Sequence, residues 1–440
     1  MREMDMPEQP LVRLLGELVA IESVNPAYPG GARGEAAVAG LVAEYCRRLG
    51  LDVWRQPVLP GRENVVAELR VPGARHTLLF EAHMDTVGLD GMGERGLQPE
   101  LRDGRLYGRG ACDAKGALAA MLAALRTLID RRAELGVNVV LAATVDEEYQ
   151  YRGVLALIEQ LVDAGRRVDA AVVGEPTELA LVVAHKGCVR TRITTIGRAA
   201  HSSRPEEGIN AIEGMVAVVA ALDRHRRDLA GRRHPLVGSP TLSIGRIWGG
   251  TAVNIVPERC TIELDRRLIP GETAASALAE LDAVLSEVRA GSPAVAIERE
   301  PPFVADWALD TPPEAAIVQA AAAACRALGQ PDRPVGVAYG SDASKLWALR
   351  AIPSIVLGPG SIAQAHTEDE FVPVDQLVAA AELYAETAVR LGPLLEPVAH
   401  TPVVETGHSG AVSHRDEALR LACAGDVVDA GHTGAASHSQ

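Results

Sequence analysis

Several apolar, β-branched runs of strand length in this chain end at an acid or an imidazole. HTLLFEA (76–82) runs into His83 and Asp85, VNVVLAATV (137–145) into Glu147 and Glu148, and VDAAVV (168–173) into Glu175. The run at 353–357 leads through a glycine-rich turn to His366. A continuous apolar run suits a strand buried on both faces, as in a parallel sheet covered by helices. Helical spacing separates these runs at 11–22, 35–49, 115–131, 153–164, 313–328 and 374–391, with Gly50 placed to close the second helix. Further strands are expected at 52–58, 63–70 and 179–185. Strand and helix in alternation predict an α/β fold, with a mainly parallel sheet flanked by helices.

The texture changes near Gly187. CVRTRITTIG (188–197) alternates apolar and polar residues, as a sheet with one wet face does. Helix 208–222, strands 241–248 and 260–268, helix 273–289 and strand 293–299 follow. This order is β-α-β-β-α-β, the split ferredoxin-like motif. The expected organisation is therefore a first catalytic segment (1–186), an inserted small domain (187–299) and a second catalytic segment (300–396). Residues 397–440, rich in Ala, Gly, Ser, Thr and His, read as a disordered tail. The tail histidines match no metal-finger spacing.

Strand ends in an α/β sheet converge on one crevice. Imidazoles and carboxylates gathered there are a ligand set for divalent metals, zinc first and cobalt second. His83 and Asp85, two apart at a strand end, point to the same side, so Asp85 is placed to orient the imidazole. Asp113 sits in GRGACDAKG at a loop–helix junction, where one carboxylate with two oxygens can bridge two cations. Glu147 and Glu148 are adjacent and point apart, which divides a general base from a ligand. Taken singly, each motif is ordinary: a polar strand end, a helix cap, a solvated acid pair.

The formal net charge of −15 and the absence of a basic tract argue against nucleic acid and anionic membrane as partners. No stretch has the length of a spanning helix. The polar N-terminus and the six dispersed cysteines point to a reducing, cytoplasmic setting. Aromatic residues are only 3% of the chain, so Leu, Val, Ile and Ala must fill its cores.

Taken together and in this order, H-x-D, the GRGxxDxKG loop, the acid pair, E-P and a late His resemble the dizinc deacylase and exopeptidase family. That family includes acetylornithine deacetylase, succinyl-diaminopimelate desuccinylase, aminoacylases and glutamate carboxypeptidases. The resemblance spans about residues 10–395 and implies roles. His83 and Glu175 would hold one zinc, Glu148 and His366 the other, with Asp113 bridging and Glu147 as general base. It also implies a cis peptide after Asp113. His201, in GRAAHSSRPEEGINAI, would complete the site of a second chain, through a homodimer built by the inserted lid. Asn254 and Arg267 would bind the substrate carboxylate, and Ser341, Asp342, Gly358 and Gly360 would lie near the pocket.

The implied reaction is hydrolysis of the amide of a small N-acyl amino acid. HSSRPEEGINAI and VVAHKG look closer to acetylornithine deacetylases than to the desuccinylases. Desuccinylation and cleavage of short peptides are the competing reactions. A binding protein without activity is a third reading, opposed by the intact ligand set and Glu147.

Overall fold

The computed structural model describes residues 10–395 apart from Ala32 and Ala164. The expected tail, 397–440, lies outside the described residues.

The centre is a nine-stranded sheet. His76–His83 lies between Val137–Thr144 and Ala170–Val173 and is parallel to both, and Ser354–Val356 continues the parallel array beyond Ala170–Val173. The outer pairings are mostly antiparallel: Asp52–Leu59 with Arg62–Leu69 at one edge, and Leu309–Asp310 with Val182–His185 at the other. The parallel register sets His83 beside Thr144 and Glu81 beside Val173, so the strands end level with one another. The sequence places its acids just past that line.

Burial on both faces explains the unbroken apolar runs. Leu78 and Phe80 pack under the helices Pro10–Val19, Ala36–Arg48, Lys115–Asp130, Ala316–Ala327 and Val374–Leu391. Leu79, one position out of phase, packs under Arg152–Asp163 and Ala343–Arg350. Phe80 meets Tyr384 with ring centroids 5.7 Å apart. Each fully buried Leu or Phe side chain contributes about 1.5–3 kcal/mol. The fully buried Lys115 donates to Leu18 O in the last turn of the first helix and to Ile21 O just beyond it.

A second, antiparallel sheet runs Thr241–Gly249, Arg259–Leu268, Gly187–Ile196, Ala296–Arg299, the ferredoxin-like order. Val304–Asp306 also pairs with Gly187–Ile196, so this sheet reaches past residue 299. Val189, Ile193, Ile262 and Leu264 face the helices Ala211–Leu229 and Ala274–Gly291 and form a core of their own. Asn210 caps the first of these helices by accepting from Ile212 N and Glu213 N, and Thr273 and Ser276 form a capping box on the second. Thr241–Gly249 is an edge strand, with Ile247 and Trp248 exposed.

Helix Ala343–Arg350 and the strands Leu309–Asp310 and Val335–Val337 were not expected from the sequence. Neither was a three-stranded sheet of Phe371–Pro373, Arg105–Tyr107 and Glu100–Arg102 beside the Asp113 loop. No helix among the described residues is long and apolar enough to cross a membrane.

Candidate metal centre

Five of the expected residues meet at the ends of the parallel strands. His83 Nε2 lies 3.0 Å from Asp113 Oδ1 and 3.9 Å from Glu175 Oε1. His366 Nε2 lies 3.2 Å from the other oxygen, Asp113 Oδ2, and 3.1 Å from Glu148 Oε1. Two triads result, His83–Asp113–Glu175 and Asp113–Glu148–His366, each with ligand atoms within 4.8 Å of one another. They share Asp113, whose two oxygens point into different triads. Both are rich in carboxylate oxygen and imidazole nitrogen, so two divalent cations fit the donors present.

The ligands arrive in different ways. His83 ends its strand; Glu148 and Glu175 stand just beyond theirs. Asp113 precedes helix Lys115–Asp130 rather than following a strand, and the Asp113–Ala114 peptide is cis. His366 sits on an exposed turn with φ +62°, well past its strand.

Electrostatics shows why this space calls for cations. Burial and the neighbouring Asp113 push the Glu175 carboxyl well above its ordinary range. Burial also pushes Glu147 up to about 8, with His83 opposing and Glu148 and Asp113 adding repulsion. Hydrogen bonds to Asp113 and Glu148 push His366 up to about 10. Burial disfavours charge on His83, yet its bonds to Asp113 and Asp85 outweigh that and hold it well above the usual imidazole value.

Asp85 departs from the expected geometry. His83 Nδ1 is 2.9 Å from the backbone oxygen of Asp85 but 3.5 Å from its carboxylate. The carboxylate instead accepts from Asn25 Nδ2 at 2.7 Å, Glu147 N at 3.1 Å and Glu148 N at 3.1 Å. It organises the acid-pair loop more directly than the imidazole. Asn25 also donates to Asp146 Oδ1 at 3.0 Å, and Arg62 clamps Asp146 and the buried Glu35. Glu370 performs the same service for the Asp113 loop. Its Oε1 accepts from Cys112 N and Asp113 N, and its Oε2 meets Arg109 Nη1 at 2.6 Å. Asn25, Arg62 and Glu370 were not expected from the sequence; only Glu370, four residues after His366, lies in a segment that carries a triad residue.

The remaining expected residues belong to neither triad. His201 is exposed, with Nδ1 2.7 Å from Ser203 Oγ, and belongs to neither triad. Its strand, Ala200–His201, pairs with Ile255–Val256 next to the exposed Asn254. Arg267 donates to Asp265 on the antiparallel sheet. Ser341 and Asp342 are buried, and Ser341 Oγ is 3.0 Å from His185 Nε2, a contact inside the protein rather than on a cleft. Gly358 and Gly360 let their loop close on the site: a Cβ on Gly358 would lie 2.4 Å from Glu175 O, and one on Gly360 2.5 Å from Cys112 Sγ.

The sequence pattern described as peptidase family M20/M25/M40 matches residues 79–390. Among solved structures, a Staphylococcus aureus tripeptidase is similar at TM-score 0.71 and 23% identity, over 88% of this chain and 99% of that one. Human carnosine dipeptidase 1 is similar at 0.70 and 19%, over 87% and 96%. A Bacillus subtilis protein described as a dinuclear metal-binding peptidase of the M20 family is similar at 0.66 and 18%, over 88% and 98%. At these identities the likeness is one of fold.

Proposed function

The chain belongs to peptidase family M20/M25/M40 and is a metal-dependent hydrolase, and on that premise we propose that it cleaves the amide bond of a small N-acyl amino acid, releasing a carboxylate and a free amino acid. The observation that carries amide hydrolysis is the division of labour at the site, and the choice of an N-acyl amino acid rests on the segments HSSRPEEGINAI and VVAHKG. Asp113 turns one oxygen to each triad, while Glu147 stands beside both and belongs to neither.

His83, Asp113 and Glu175 would hold one zinc ion, and Asp113, Glu148 and His366 a second. The chemistry such cations supply when bound is Lewis acidity, polarising the carbonyl and making water acidic near neutral pH. Glu147 takes the proton of the attacking water on its carboxylate and returns it to the departing nitrogen. Asp85 keeps that carboxylate aimed by holding the backbone of its loop. Arg267, with Asn254, receives the substrate carboxylate, a task its planar fork suits.

A panel of N-acetylornithine, N-succinyl-diaminopimelate and dipeptides tests the reading. The expected result is the highest kcat/KM on the N-acetyl amino acid. Exclusive turnover of dipeptides would favour the peptidase alternative, to which the tripeptidase and dipeptidase neighbours lend weight.

His201 is assigned to the oxyanion site of a partner subunit, in a homodimer formed along the edge strand Thr241–Gly249. The exposed Ile247, Trp248 and Val253 support that assignment, since an unpaired edge with apolar side chains favours pairing with another chain. Mixing inactive His201→Ala and Glu147→Gln proteins should give mixed dimers with one intact site of two, and so about half the wild-type activity per mixed dimer. Verified subunit exchange without recovery would remove His201 from this role.

A further inference from the structure

Lys345 lies in the first turn of helix Ala343–Arg350, is fully buried, and belongs to neither metal triad. A buried ammonium costs several kcal/mol unless it is paired and hydrogen-bonded. Its Nζ is 2.8 Å from Asp306 Oδ1, donates to Ser341 O at 3.1 Å, and stands 3.4 Å from the centroid of the Tyr151 ring. A cation over an aromatic face is attracted by the ring quadrupole. Burial opposes the charge, but Asp306, Asp342 and Glu147 outweigh it and hold the pKa above the ordinary lysine value.

These three partners come from parts of the chain with different work. Tyr151 closes the loop that carries Glu147 and Glu148, with φ +60° and its N–H donating to Asp146 O at 2.7 Å. Asp306 ends the strand Val304–Asp306, opposite Cys188, where the chain leaves the antiparallel sheet. Leu309, just beyond, pairs with His185 in the central sheet. The opposite crossing is held by the same stretch of chain: Ser341 Oγ lies 3.0 Å from His185 Nε2, and Ser344 Oγ donates to Asp306 Oδ1 at 3.3 Å. The crossings press on each other, since a Cβ on Gly187 would lie 2.4 Å from Asp306 O. Both connections between the sheets and the loop of the base therefore meet around one ammonium.

We propose that Lys345 is a positioning residue that couples the two connecting strands to the Glu147 loop, so that the setting of the antiparallel unit and the aim of the base carboxylate are fixed together. The catalytic half of this inference rests on the role proposed for Glu147; the mechanical half does not. Without the ammonium, Tyr151 and Asp306 lose their common partner, and loop and crossings relax independently.

The test is reciprocal, because coupling between two sites must act in both directions. Asp306→Asn alters a connecting strand and Tyr151→Leu alters the loop. Amide hydrogen exchange in the full-length protein is read at 146–151, 185–188 and 304–309. Asp306→Asn should speed exchange at 146–151 at least about fivefold, and Tyr151→Leu should do the same at 304–309. If each substitution loosens only its own segment, the proposal is overturned. Should Asp306→Asn fail to fold, the doubly neutral Lys345→Met/Asp306→Asn protein replaces it with the same readout. With whichever amide the wild type hydrolyses, kcat should fall by up to about 10²-fold, as small misplacements of a reacting group do, while KM and metal content stay near wild type. Wild-type kcat in Tyr151→Leu also overturns the proposal. If the wild type hydrolyses none of the panel, the function reading fails, and the exchange data still decide the coupling.

Discussion

Replacing Glu147 with Gln should leave two metals bound and lower kcat by about 10²–10⁴-fold, the usual contribution of a general base. Gln has the same shape and keeps the backbone N–H that Asp85 Oδ1 holds at 3.1 Å. What it loses is the ability to accept a proton. Glu147 lies outside both ligand triads, so metal content should not change. Steady-state kinetics and elemental analysis of the same preparation check the two halves together. Near wild-type kcat would remove Glu147 as base; loss of a metal would make it a ligand.

Removing the metals should destabilise the fold, and by more as the pH rises from about 5 to 8. The sign follows from linkage. Glu147 is raised from an ordinary 4.5 to about 8, and Glu175 is also raised, so the metal-free fold binds their protons more tightly than the unfolded chain does. That stability is complete below 4.5 and is lost as pH rises through the folded values. His366, raised from 6.5 to about 10, acts the same way: its contribution is present below 6.5 and fades above it. Asp85 and Asp113 are lowered from 3.8, so their contributions are lost only in more acidic solution, outside this window. Metal binding needs these ligands deprotonated and strengthens over the same range. The melting temperature with metal, minus that with a chelator, should therefore widen between about pH 5.5 and 8. A gap that narrows would mean that these groups are not where the cations bind.

The residues of the two triads were legible in the sequence because each lies in a short motif, and a parallel sheet brings distant motifs to one edge. Their supporting shell was not. Asn25 reaches Asp146, and Glu370 reaches Cys112 N, across long stretches of chain, and neither leaves a periodic trace. Helix Ala343–Arg350 was missed for a related reason. Ser344 and Lys345 are buried beside Leu346 and Leu349, so no polar face stands opposite an apolar one. Helix Ala211–Leu229 runs beyond the expected end at 222 because DRHRRDL reads as surface, yet its last residue, Leu229, returns to the core. The strands Leu309–Asp310 and Val335–Val337 are too short for alternation to register. For Asp85, spacing gives direction but not which of several donors its carboxylate meets, here Asn25 and the backbone of Glu147 and Glu148.

The two triads differ in what surrounds their imidazoles. The His83 side chain is 2% exposed and the His366 side chain 49%. His83 ends a central strand, whereas His366 rides a left-handed turn at the surface. An ion in the first triad would be walled in by a central strand, and one in the second by a surface turn. An ion in the outer triad would therefore exchange with the surrounding pool more readily than one in the inner triad.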